Sequence, residues 1–191
     1  MSEISIFNEI VTHQIEGVMF HDDCANLFDF MDLHGFKRQS EYHAMSEFAE
    51  MRGSNRYAIN HLNAIPNGQG ASRYKEIIPS SWRNATRFDV GENDRKTKVR
   101  EIFTAWRDWE KSTKDFYQLK FKELADINAI ASANRVNYLI MKVDNELKEA
   151  ERCWLKWNAS GWDMSLMLEK QDEIHEKYEK KTERELNVKF C

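Results

Sequence analysis

Apolar positions recur along this chain every three or four residues, the spacing of amphipathic helices, and the recurrence breaks at only a few places. The first run, about Ile4 to Leu33, sets Ile10, Gly17, His21, Cys24, Ala25 and Phe28 on one face; the spacing predicts a stop at His34-Gly35, where glycine can take a left-handed cap. A second run opens near Lys37 with Met45, Phe48, Met51, Ile59 and Leu62 as its apolar face, and Pro66-Asn67-Gly68-Gln69-Gly70 ends it. A third, about Thr97 to Ile127, carries Ile102, Trp106, Trp109, Phe116, Leu124 and Ile127. A fourth, about Ala131 to Trp157, carries Val136, Ile140, Val143, Leu147, Ala150 and Trp154. After Asn158-Ala159-Ser160-Gly161 a fifth helix is expected from Asp163 to about Leu186, apolar early and then so rich in Glu and Lys that its last turns read as a solvated arm.

The links differ in length, and that difference sets the topology. Helices one and two form a hairpin, as do three and four, while residues 64–95, which hold Pro66 and Pro79, form a long crossover between the pairs. A chain of 191 residues with only two prolines and seven glycines is expected to fold as one all-α domain, 1–191, with a charged tail over 163–191. A crossover of that length spans a helix, so the third helix is expected to run parallel to the second.

Composition narrows the function classes. Twenty-eight basic and thirty-two acidic side chains give a formal charge of −4, which argues against nucleic acid or an anionic membrane as partner. No apolar run is long enough to cross a bilayer, and the first residues lack the basic and apolar regions of a signal peptide, so a cytoplasmic protein is expected. Cys24, Cys153 and Cys191 are odd in number and widely spaced, which indicates neither a disulfide framework nor a metal knuckle. No P-loop, dinucleotide-binding glycine pattern, Gly-x-Ser-x-Gly elbow or His-Glu-x-x-His is present. Trp82 with Arg83, Arg87, Phe88, Arg95, Lys96, Lys98 and Arg100 is read as a loop whose aromatics cover the bundle rather than a nucleic-acid surface.

Two hairpins joined by a long crossover and followed by a fifth helix resemble the ferritin-like superfamily, over most of the chain. That family holds a di-iron or related centre through a Glu from each of two helices and a Glu-x-x-His from each of the other two. Here the matching segments are Glu47-Phe48-Ala49-Glu50 and Glu146-Leu147-Lys148-Glu149, with the glutamates kept and both histidines replaced. The resemblance implies iron or manganese as the metal; helix levels set His21, Glu47, Glu110 and Glu146 as the inner ligands, with Glu50 or Glu149 completing the shell if the helices rotate further inward. The resemblance is also in keeping with a homo-oligomer or a protein partner.

Helical rise places His21, Glu47, Glu110 and Glu146 at one level near mid-bundle. Rotation about each helix axis sets His21 and Glu146 inward and Glu47 and Glu110 at the flanks, with Glu16, Glu50 and Glu149 outward. Gln14, Arg52, Asn55 and Lys120 fall on or near inward faces, so an ion pair with Arg52 or another interhelical cation is the rival to a metal. His13, His34, His43 and His61 are expected at outer faces or helix ends, and the pair Asp172 and His175 lies in an exposed charged segment. The rival function is therefore a metal-free helical interaction protein that docks a partner through the crossover or the charged C-terminal helix.

Overall fold

In the computed structural model, which describes residues 2–68, 74, 76–83 and 85–189, the chain forms six α-helices and no strand among the described residues. They are α1 (Glu3–Phe30), α2 (His34–Leu62), α3 (Glu92–Asp126), α4 (Ile130–Ala159), α5 (Met164–Glu169) and α6 (Gln171–Lys189). Gln69, Gly70 and Cys191 of the sequence reading lie outside the described residues. Among the described residues no helix is long and apolar enough to cross a membrane.

Contacts at successive levels give the helix directions. Phe28 meets Phe36 and Phe7 meets Tyr57, so α1 and α2 are antiparallel. Phe28 meets Phe103, His21 meets Glu110 and Lys120 pairs with Glu9, so α3 is antiparallel to α1 and therefore parallel to α2, as the long crossover requires. The crossover lies against the bundle: Trp82, in a short 3-10 turn at Ser80–Trp82, packs on Phe30, and Ile77 and Ile78 join the core. Arg83 pairs with Glu76, Arg87 with Asp32 and Lys98 with Glu101, which gives the basic stretch local partners.

The core has three layers. Phe20, Phe28, Phe36, Phe103, Trp106 and Trp157 fill one end of the bundle, and Ile6, Ile10, Tyr117, Leu124, Val136 and Leu139 fill the other. Polar side chains at mid-bundle lie between them. Part of this belt comes from α2, whose inward face is not the expected one. Phe48 and Ile59 are exposed, whereas Gln39, Ser40, His43, Ser46, Glu47, Glu50 and Ser54 are buried. The turn after α1 also differs: Asp32 takes the positive φ, and Gly35 sits in the first turn of α2. A Cβ at Gly35 would strike the backbone carbonyl of Gln171, so this glycine serves the close approach of α2 to the start of α6 rather than a turn.

The expected solvated arm is instead a strut. Gln171, Tyr178 and Thr182 of α6 are buried, because they recur at helical spacing and lie against α2. The N-cap residue of α2, Leu33, makes no side-chain cap. Gln171 supplies one: its Oε1 accepts from the backbone N–H of Gly35 at 2.8 Å and of Phe36 at 3.2 Å. Tyr178 O–H donates to Glu149 at 2.7 Å and accepts from Gln39 Nε2 at 2.8 Å.

Truncation after Lys170 removes these bonds and the burial of Tyr178, together worth about 3 kcal/mol or more. The melting midpoint followed by circular dichroism should fall by about 6 to 12 °C. An unchanged midpoint would mean that α6 contributes nothing to the bundle.

Candidate functional site: the carboxylate belt

The belt is built where α1, α2, α3 and α4 present short or polar side chains at one level. Gly17 of α1 makes the room: a Cβ there would lie 2.8 Å from Glu47 Cδ, so the Glu47 carboxyl rests against the α1 backbone. His21 follows one turn later on α1, with its Nε2 3.5 Å from Glu110 Oε1 and its ring stacked on His43 at 5.3 Å. Trp106 Nε1–H donates to the same Glu110 oxygen at 2.9 Å. On the α4 side, Lys142 pairs with Glu50, its Nζ donates to Ser46 Oγ at 3.5 Å, and Ser46 Oγ donates to Glu146 Oε1 at 3.5 Å.

The structure thus brings His21, Glu47, Glu110 and Glu146 into one region, as the level argument expects, and adds Glu50. It corrects the rotations of Glu16 and Glu50, which are buried, and of His43 and His13, which also lie inside. His13 bonds Thr113 at 2.9 Å and stacks on Trp109. Arg52 is exposed, and the interhelical cation in the belt is Lys142. The signal for Lys142 was present: it lies three residues after Leu139 and four before Glu146, on the buried stripe of α4. Glu149 turns to α6, where Lys177, Lys181 and Tyr178 hold it. His34 bonds Asp172 at the surface, and the His34 and His175 rings lie 5.7 Å apart.

Burial dominates the electrostatics. It lowers His21 to about 3, and it lowers His43, with help from His21, to about 3, so both imidazoles are neutral near pH 7. Burial raises Glu110 to about 8 against the opposing Trp106 bond, and raises Glu47 well above the carboxylate range with help from Glu50, Glu146 and Glu110. The His21–Glu110 contact therefore joins neutral groups and is not an ion pair. Lys142 is pulled down by burial but pushed up further by Glu50 and Glu146, so it stays cationic. Burial acts to raise Glu149, yet His43, Tyr178 and Lys181 together hold it at about 2.

Whether these donors suit a metal can be judged from their orientation. Among the described residues, Glu47 Oε2, Glu110 Oε2 and His43 Nε2 are buried without a hydrogen-bond partner, which leaves polar atoms aimed into the belt. Against this, Glu50 is held by an ammonium, Glu149 faces away, and the α1 position beside Glu47 is a glycine. Among the described residues no group of three or more His, Cys, Asp and Glu side chains converges closely enough to hold a metal ion. The donor set as arranged does not fit a di-metal centre.

The raised Glu110 carboxyl sets a pH dependence. An unfolded chain loses that proton near 4.5 and the folded chain near 8, so its stabilising effect is complete below 4.5 and is lost as pH rises through about 8. The two imidazoles act oppositely, adding stability above 6.5 that is lost as pH falls toward about 3. From pH 6.5 to 8 the carboxyls act without the imidazoles, so the melting midpoint of chelator-treated protein should fall, Glu110 alone contributing about 2 kcal/mol and Glu47 acting in the same direction. Glu110→Gln should weaken that slope. A wild-type midpoint that is flat or rises through the window would show that Glu110 is already ionised.

No protein-family model matches this sequence, and no curated protein matches it. Solved structures do. An open-pore ferritin from the hyperthermophilic archaeon Archaeoglobus fulgidus superposes with a TM-score of 0.72 at 12% identity, over 91% of this chain and 95% of that one. An engineered closed form of the same ferritin gives 0.73 at 14% identity over 92% and 96%. A humanized archaeal ferritin gives 0.74 at 13% identity over 92% and 97%. Likeness of this extent at such low identity fixes architecture, and it agrees with the helix directions and the long crossover: the chain has a ferritin-like fold.

Proposed function

We propose that this chain is a ferritin-like bundle in which the ammonium of Lys142 takes the electrostatic place of a core metal, and that it works as a helical interaction protein. The observation that carries this reading is the Lys142–Glu50 pair inside the carboxylate belt. A fixed cation there, with Glu47 and Glu110 held as acids by burial, lowers the negative charge of the belt without any added ion. Contact with a second copy or another protein would use the crossover, where Ile65 and Phe88 stand 79% and 92% exposed.

A second reading follows from the unpartnered inward oxygens Glu47 Oε2 and Glu110 Oε2. In it, His21, Glu47, Glu50, Glu110, Glu146 and Glu149 hold iron or manganese, as hard cations favour carboxylate oxygen. This requires Lys142 to leave the belt and Glu149 to turn away from α6.

Lys142→Met and Glu146→Gln separate the two. Under the lysine reading, wild-type protein expressed in iron- and manganese-supplemented medium carries no stoichiometric metal by elemental analysis, and added metal leaves its melting unchanged. Lys142→Met then removes the only counter-charge of Glu50 given by a lysine or arginine among the described residues and costs about 3 to 5 kcal/mol. Stoichiometric iron or manganese in the wild type, lost in Glu146→Gln while helicity persists, would replace the lysine reading with the metal one.

A further inference from the structure

Between α4 and α6 the surface opens into a groove of about 490 Å³, lined by Phe36, Gln39, Cys153, Trp157 and Ile174 among others. Its volume lies within the range of small-molecule sites, about 300 to 1,000 Å³. The groove exists because α6 leans on α2 and meets α4 chiefly through Glu149, whose carboxylate ties Lys177, Lys181 and Tyr178 at 2.7 to 3.1 Å.

Charge around the groove is uneven. Both acids on its wall already have lysine partners, Glu149 in Lys177 and Lys181 and the exposed Glu173 in Lys170 at 3.1 Å. Arg152 and Lys156, on the same α4 face as Glu149, pair with no carboxylate among the described residues. Arg152 uses only Nε, to the Lys148 carbonyl, and the Lys156 ammonium sits 4.7 Å from the centre of the Trp157 ring. Such a cation–π contact leaves the ammonium open to solvent and to an anion. A mainly apolar trough beside two cations without acidic partners is complementary to an anion that carries an apolar body.

We propose that this groove binds a small organic anion, its carboxylate or sulfonate on Arg152 and Lys156 and its apolar part over Cys153 and Ile174. The groove touches the belt only at Gln39 and Glu149, and the two cations that would hold the anion, Arg152 and Lys156, belong to neither the Lys142 pair nor the metal set.

The probe is 1-anilinonaphthalene-8-sulfonate, titrated into the full chain and followed by fluorescence. Saturable one-to-one binding is expected, weakened by salt as a charge-assisted site should be. Arg152→Ala combined with Lys156→Ala should weaken it about tenfold or more. Both side chains are exposed, so melting and near-ultraviolet circular dichroism should stay as in the wild type. Arg152→Lys should retain most of the affinity, and Ile174→Trp, which fills the floor, should abolish binding. Absence of saturable binding, or equal affinity in the double variant, would overturn the proposal.

Discussion

A single ammonium group decides how four glutamates can share the dry centre of this bundle. Carboxylates buried within reach of one another repel, and each loses hydration that the interior does not replace. Lys142 answers part of that cost by pairing with Glu50 next to Glu146, and the remainder is met by protonation of Glu47 and Glu110. Trp106 and His21 then bind Glu110 as a neutral acid, and Gly17 gives the Glu47 carboxyl its place against α1. The belt separates two apolar clusters that carry the packing, so the helices are held at their ends while the centre stays polar.

The same need for partners extends to the C-terminal helix. The start of α2 has no side-chain cap of its own, and its buried N–H groups are met by Gln171 from the far end of the chain. Tyr178 links Gln39 of α2 to Glu149 of α4. The segment that follows the four-helix core is therefore part of its hydrogen-bond accounting, and its outward charges coexist with an inward stripe.

Topology was legible in the sequence because it depends on breaks: short links at residues 31–33 and 127–129 and a long stretch around Pro66 and Pro79. Level was legible too, since helical rise is nearly constant, and His21, Glu47, Glu110 and Glu146 do share the middle of the bundle. Rotation was not legible on α2. Its large apolar residues Phe48 and Ile59 face out, and its inward face is made of Gln39, His43, Ser46, Glu47 and Glu50, so a stripe drawn through the hydrophobics points the wrong way. The burial of α6 was hidden for a related reason: Gln171, Tyr178 and Thr182 are few among many charges, and only their common face marks them. The replaced histidines of the two Glu-x-x-Glu segments were visible from the start, and the structure adds the lysine that stands among the carboxylates.

The central claim is that Lys142 and bound protons together limit the charge of the belt. Carbon-13 NMR of glutamate side-chain carboxyls in chelator-treated protein, titrated from acid to base and assigned with Glu47→Gln and Glu110→Gln, reads this directly. The account predicts two carboxyls that keep their protons well above the ordinary range, with Glu110 ionising at about 8. Ionisation of both below pH 5 would contradict it, because two charged acids beside Glu50 and Glu146 need more positive charge than Lys142 provides.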